Sequence, residues 1–143
     1  MRDLASNLKV VQAIGPETLA ADNTPAAIDR IGFESVMFAI GVGIGGTTFS
    51  GTNKIEFVMT HSDDDTTYIP VIDDDLQGVP VGVTGGIVKS LKTAHAAADV
   101  TKVGYVGGKR YVKLLADFGG THGTGTPVSV TAVLGNPSVS PVA

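Results

Sequence analysis

Apolar and polar residues alternate over several short stretches of the chain, which is the period expected of half-buried β-strands. The clearest stretch is residues 54–61, where Ile55, Phe57 and Met59 fall on one face. Residues 34–40 form a nearly continuous apolar run, which predicts a central strand covered on both faces. Further strands are predicted at residues 8–14, 28–31, 67–72, 87–92, 102–106, 110–116 and 127–134.

Turn residues separate these strands. Gly15-Pro16 is predicted to end the first strand, and the polar segment 62–66 to join two strands as a hairpin. Pro70 lacks an N–H and is expected at a sheet edge or a bulge. Residues 93–99 have the composition of a helix, but the segment is too short to be stable alone.

Seven or eight short strands with turns between them predict an all-β fold, a single-domain antiparallel β-sandwich or jelly-roll-like domain. We expect the domain to span residues 8–135, with a flexible N-terminal arm at 1–7 and a flexible C-terminal tail at 136–143. A length of 143 residues fits one domain.

Composition changes this picture by pointing to a covered surface. Only 17% of residues are charged, against about 25% in typical soluble domains, and mean hydropathy is +0.25. We therefore expect a partner to cover part of the surface. A net charge of −4 argues against nucleic acid as that partner. The absence of Cys excludes thiolate metal sites and disulfides.

No stretch is long enough to predict a membrane span. The most apolar segment, residues 36–46, has 11 residues, whereas a spanning helix needs about 20. The N-terminal residues also lack the apolar region of a secretory signal. These observations predict a soluble protein without membrane contact.

Two motifs are of kinds that bind ligands in other proteins, but we interpret both as structural features. Residues 41–46 satisfy G-x-G-x-x-G, but β-branched residues follow where the phosphate-binding helix should begin, so we expect a flexible loop. Two Asp triplets, at 63–65 and 73–75, are expected to form turns. Ca²⁺ binding remains open if the two loops meet.

Side chains that could carry chemistry are isolated. His61, His95 and His122 show no metal-ligand spacing, and the adjacency of His61, Ser62 and Asp63 is not triad geometry. Tyr68, Tyr105, Tyr111 and the five Phe could form a sugar-binding platform, although core packing is favoured and no Trp is present. We therefore expect no catalytic residues, no metal, no cofactor and no enzymatic activity.

Three segments together resemble a known family. They are the N-terminal residues 1–12, the hairpin at 62–68, and residues 103–113 with the closing segment 133–137. In this order they resemble capsid decoration, or cement, proteins encoded beside the major capsid protein of tailed bacteriophages. The hairpin followed by an Arg-Tyr-Val strand is also similar to discoidin-type sugar-binding sandwiches, with Asp65 where Gly is commoner.

The resemblance implies a structural virion protein that binds the outer capsid surface and reinforces the shell. It implies contacts with the major capsid protein and with its own copies, a homotrimer, and assembly in the host cytoplasm. A carbohydrate-binding adhesion module on the virion, or a head–tail connector or tail component, are the alternatives. We expect four residues of the N-terminal segment to contact the capsid or a neighbouring subunit: Met1, Arg2, Leu4 and Leu8.

Overall fold

The computed structural model describes residues 2–142, which form two antiparallel β-sheets around a shared apolar core. Short 3-10 helices lie at Ala5–Asn7 and Asp73–Asp75. The strands are β1 (Lys9–Leu19), β2 (Ile28–Asp29), β3 (Phe33–Val42), β4 (Lys54–Ser62), β5 (Ile69–Pro70), β6 (Leu76–Gln77), β7 (Ile87–Leu91), β8 (Asp99–Tyr105), β9 (Tyr111–Gly119) and β10 (Thr126–Pro137).

The order of the strands shows how the two sheets are built. The first sheet runs β1-β10-β3-β8-β6, and the second runs β2-β9-β4-β5, with β7 also paired to β4. Every pairing is antiparallel. From β3 onward the longest strands alternate between the sheets: β3, β8 and β10 lie in the first, and β4 and β9 in the second. The predicted antiparallel β-sandwich is confirmed.

The core lies between the sheets and follows the period of two. Ile55, Phe57 and Met59 of β4 are fully buried, as their alternation predicts. They face Phe38 and Ile40 of β3, which are also fully buried. Each such side chain contributes about 1.5–3 kcal/mol by leaving water, so the two inner faces hold the sheets together.

Strand β3 is central, as predicted, but the prediction that both of its faces are covered is wrong. Val36, Phe38 and Ile40 are buried, whereas the alternate residues Met37 and Ala39 are only half-buried. The neighbouring strands β10 and β8 cover the edges of β3. No third layer lies over its outer face among residues 2–142. The apolar run therefore continues onto an exposed sheet surface.

One turn prediction needs correction. Gly15-Pro16 does not end the first strand; β1 continues to Leu19, with register shifts at residues 12–14 and 14–17. Proline is tolerated there because β1 is an edge strand whose outward N–H groups need no partner. The predicted hairpin after β4 is present, although β5 is only two residues long, and Pro70 lies at the sheet edge as expected. Residues 93–98 contain bends and no helix, and Asp99 begins β8.

Side chains close one edge of the second sheet. Asn23 Oδ1 accepts a hydrogen bond from the backbone N–H of Ala116 at 2.7 Å. Asp22 Oδ1 accepts one from the N–H of Phe118, also at 2.7 Å. Strand β2 covers only the beginning of β9, at Tyr111 and Val112. The two side chains therefore replace a neighbouring strand along the rest of this edge.

The two terminal segments, predicted to be separate flexible arms, are hydrogen-bonded to each other. The Val142 N–H donates to the Ser6 carbonyl at 2.8 Å. The Ser140 hydroxyl donates to Asn7 Oδ1, also at 2.8 Å. Within the N-terminal segment, Asp3 Oδ1 accepts the Ser6 N–H at 3.0 Å. Both segments thus lie together at one end of the sandwich.

Candidate functional site

The outer face of the first sheet is almost free of charge. Residues that oppose one another across β1, β10, β3 and β8 share this face, because side chains alternate along each strand. Lys102 is the one charged residue among these paired positions, and Glu17 of β1 borders the same face beside Gly41 and Ser129. The set consists of Val10, Gln12, Ser35, Met37, Ala39, Gly41, Val100, Lys102, Gly104, Ser129, Thr131, Val133 and Gly135.

The outer face of the second sheet is built differently. Charged residues recur along it: Lys54 and Glu56 on β4, Lys113 and Asp117 on β9. The Glu56 carboxylate lies 3.0 Å from Lys54 Nζ and 2.9 Å from Lys92 Nζ. Hydrogen bonds from these two ammonium groups, that of Lys92 first, lower the pKa of Glu56. This face carries an ion-pair cluster around the buried Glu56, and the paired positions of the first sheet's outer face carry none.

A groove of about 470 Å³ crosses one end of the first sheet's outer face. It runs over Met37, with Gly104 of β8 on one side and Gly135 of β10 on the other. Because neither glycine has a side chain, the sheet is locally depressed between taller neighbours. Those neighbours are Leu8, Gln77, Lys102, Val106 and Val133. We call this feature the outer groove.

The predicted contact residues of the N-terminal segment divide into three cases. Leu8 lines the outer groove and packs beside Gly135. Arg2 and Leu4 lie outside it on the surface, and Leu4 is 54% exposed. Met1 lies outside the described residues. Of the three that lie within residues 2–142, the structure therefore brings Leu8 into the groove and leaves Arg2 and Leu4 outside it.

Three groove residues, Met37, Lys102 and Val133, were not predicted from the sequence. A pattern that points to Met37 and Val133 is present, because the alternate residues of 35–41 and of 129–135 are all uncharged. Such residues face water on an ordinary exposed sheet and are usually polar or charged.

A buried polar network joins the two sheets at His61 and Tyr105. His61 Nδ1 lies 2.9 Å from the Tyr105 hydroxyl, and His61 Nε2 lies 3.9 Å from Asp75 Oδ2. The hydroxyl also accepts the Lys109 backbone N–H at 3.1 Å. Its own proton is then free to be donated to His61 Nδ1.

Burial controls the ionisation of this network. His61 is 5% exposed and Tyr105 is 1% exposed. Loss of water lowers the pKa of His61 from its usual 6.5, although the nearby Asp75 carboxylate acts in the opposite direction. Burial also raises the pKa of Tyr105. The network serves to link β4 to β8 through a satisfied pair of polar groups.

The Asp triplets use most of their carboxylates within turns and ion pairs. In the first triplet, Asp63 pairs with Lys109 Nζ at 2.6 Å, and Asp65 accepts the Tyr68 hydroxyl. The Thr67 and Thr66 N–H groups and the Ser62 hydroxyl all donate to Asp64 and lower its pKa to about 2. The three carboxylates thus have separate partners.

The second Asp triplet shows the same use of carboxylates. Asp73 accepts the Gly82 and Val83 N–H groups, and Asp75 accepts the Ile72 N–H. In the first triplet, Asp65 takes the left-handed conformation at φ 57°, which glycine, the commoner residue at this turn position, adopts easily. Within residues 2–142, no group of three or more His, Asp or Glu side chains could hold a metal ion. Neither triplet is arranged as a chelate.

The remaining candidates have structural surroundings. The glycine-rich loop at 41–46 leaves β3 and packs against Gly125; a Cβ on Gly46 would lie 1.9 Å from the Gly125 carbonyl oxygen. His122 Nε2 donates to the Gly119 carbonyl at 2.7 Å, and its ring packs edge-on against Phe118. His95 lies 3.7 Å from Asp99. The Gly45 N–H also donates to the His95 carbonyl at 3.1 Å, and the rings of His95 and His122 lie 6.3 and 6.1 Å from that of Phe49. The loop and both histidines therefore pack around Phe49.

The aromatic residues do not share one exposed face. Tyr105, Phe38, Phe49 and Phe57 are buried, as core packing predicts. Two tyrosines lie near the surface with a cation over the ring: Lys113 Nζ is 3.9 Å from the Tyr68 centroid, and Arg110 is 4.9 Å from that of Tyr111. A sugar would have to displace these cations before stacking on either ring.

The sequence matches no protein-family model and no curated protein. Neither 3-10 helix in residues 2–142 has the length or apolar character that crossing a bilayer requires. The outer groove and the charge-poor face around it are the features that set this chain apart from an ordinary sandwich.

Proposed function

We propose that this chain is a structural virion protein that binds the outside of a phage capsid through the outer face of its first sheet and stabilises the shell. The observation that carries the proposal is the contrast between the two outer faces. The first has Lys102 as the single charge among its paired positions, with Glu17 at the end of β1, whereas the second has charges along both β4 and β9. The resemblance of the sequence to capsid decoration proteins supplies the partner, the major capsid protein.

The size of the first sheet's outer face suits this role. Four strands about 4.8 Å apart, each presenting about seven residues at 3.3 Å per residue, cover roughly 19 by 23 Å. That flat area, roughly 440 Å² before side-chain relief, is about half of one side of a standard interface, about 800 Å². Exposed apolar patches of a few hundred Å² commonly mark interaction sites. Burial of Val10 and Val100, 65% and 74% exposed, would add to the binding free energy.

The proposal is tested with two matched charge substitutions. Thr131 and Thr60 are both half-buried strand residues, on the outer faces of the first and second sheet respectively. Thr131→Glu should lower the affinity for expanded capsids at least tenfold, because burying an unpaired carboxylate costs more than about 1.4 kcal/mol. Thr60→Glu should bind like wild type. Co-sedimentation with capsids measures both, and equal binding by the two variants contradicts the proposal.

Copy number separates this proposal from a connector. A decoration protein is present in proportion to the capsid subunits, whereas a connector forms a single ring. Quantitative mass spectrometry of purified virions measures the ratio to the major capsid protein, and a single ring's worth of copies would overturn the decoration role. The proposed protein is not an enzyme and acts as a homo-oligomer, with a trimer as the expected order. Light scattering of the purified chain tests that order.

A further inference from the structure

We propose that the outer groove binds an extended peptide segment that places an aliphatic side chain over Met37 and a carboxylate beside Lys102. The groove is one feature of the larger face, and its shape and charge are specific enough to define what it takes. That the segment belongs to the capsid protein rests on the proposed function; the chemistry of the groove does not.

Two glycines border the floor of the outer groove. Gly104 lies opposite Met37 on β8, and Gly135 lies opposite Ser35 on β10. A Cβ on Gly135 would lie 3.0 Å from Ser35 Oγ and 3.3 Å from Leu8 Cδ2, so Leu8 packs closely beside this glycine. A Cβ on Gly104 would lie 3.3 Å from Gln77 Cβ. Leu8 and Gln77 therefore stand as walls beside the two glycines, and Met37 is left as the open floor between them.

The walls of the outer groove favour an aliphatic side chain. Leu8 and Val133 stand on the β10 side, and Val106, 49% exposed, stands at the end of β8. Met37 forms the floor between them, and the flexible thioether of methionine adapts to differently shaped apolar side chains. The volume of about 470 Å³ exceeds that of one such side chain, so several residues of an extended segment fit.

Lys102 fixes the charge of the occupant. Five of the cationic side chains in residues 2–142 have ion-pair partners: Lys54, Lys89, Lys92, Lys109 and Arg110. Lys102 has none within those residues, as is also true of Arg2, Lys9, Arg30 and Lys113, and of these five it is the one that lines the outer groove. A segment that covered the groove without a carboxylate would leave this ammonium group desolvated and unpaired, which is costly. An acidic residue near the aliphatic one satisfies it.

The experiment is a selection from a library of random linear peptides on the immobilised full chain. Wild type should enrich sequences that have an aliphatic residue close to Asp or Glu. Lys102→Glu should reverse the preference to Lys or Arg and reduce affinity for a selected acidic peptide at least roughly tenfold. Lys113→Glu makes the same charge change on the second sheet's outer face and should enrich the wild-type sequences. Circular dichroism melts confirm that both exposed or half-exposed variants fold.

Amide chemical shifts locate the bound peptide. A selected peptide titrated into ¹⁵N-labelled protein should shift the amides of Met37, Gly104 and Val133. The absence of any enrichment, an unchanged charge preference in Lys102→Glu, or shifts confined to another surface would each overturn the inference. Co-sedimentation of the wild-type chain with capsids is a separate measurement. If wild type selects acidic peptides but does not bind capsids, the proposed function is refuted and the groove inference stands. If wild type binds capsids but selects no acidic peptides, the groove inference is refuted and the proposed function stands.

Discussion

Removal of one hydroxyl, in Tyr105→Phe, tests the buried network that joins the sheets. The ring keeps its edge-on contact with His61, whose centroid lies 5.7 Å away, so packing is retained. The change removes the donor to His61 Nδ1 and the acceptor for the Lys109 N–H. A buried polar atom left without a partner costs about 1–3 kcal/mol. The Lys109 amide is only partly buried and adds less, so we expect a loss of about 2 kcal/mol in the free energy of unfolding.

Urea denaturation measures this loss. For a domain of this size, a slope of about 2 kcal/mol per molar turns a loss of about 2 kcal/mol into a midpoint about 1 M lower. Tyr111→Phe is the matched control, because the Tyr111 hydroxyl makes no hydrogen bond within the described part of the chain. Its unfolding free energy should stay within about 0.5 kcal/mol of wild type. If Tyr105→Phe also stays within that range, the network does not stabilise the fold as argued.

Three further predictions concern pH, close packing and a turn. Burial lowers the pKa of His61, so the unfolded chain binds more protons than the folded chain below about pH 6.5. The free energy of unfolding should therefore be full above that pH and fall on acidification. A urea midpoint that rises between about pH 6.5 and 5 contradicts this. Gly46→Ala should cost more than about 2 kcal/mol because its Cβ meets Gly125, whereas Gly51→Ala, with nothing within 4 Å, should be nearly neutral in thermal melts. Asp73→Asn weakens the hydrogen bonds that Asp73 accepts from the Gly82 and Val83 N–H groups, so amide hydrogen exchange at residues 82–83 should become severalfold faster. Unchanged exchange at these residues would show that Asp73 does not hold this loop.

Local patterns predicted the strands because burial follows a period of two. The alternation over residues 54–61 placed Ile55, Phe57 and Met59 correctly in the core, and the run at 87–92 became β7 with nearly the same bounds. The predicted turn at Gly15-Pro16 was wrong because glycine and proline are found both in turns and at irregularities of an edge strand, and β1 has a register shift there.

Long-range pairing was beyond the reach of local patterns. Residues 102–106 and 110–116 follow each other through two glycines, yet β8 and β9 belong to different sheets. The outer groove depends on this pairing, because its lining comes from the N-terminal segment, β3, β6, β8 and β10. Composition predicted that some surface would be covered, and only the assembled sheets show which face is poor in charge.

The closed edge of the second sheet has a consequence for crowded conditions. Chains held side by side at very high local concentration are at risk of adding strands to one another's open edges and growing into insoluble sheets. Asp22 and Asn23 already occupy the N–H groups of Phe118 and Ala116, so an incoming strand would meet a carboxylate and an amide in place of free donors. These two short polar side chains therefore hinder strand addition at this edge, so that crowded chains can pack against one another through their sheet faces instead.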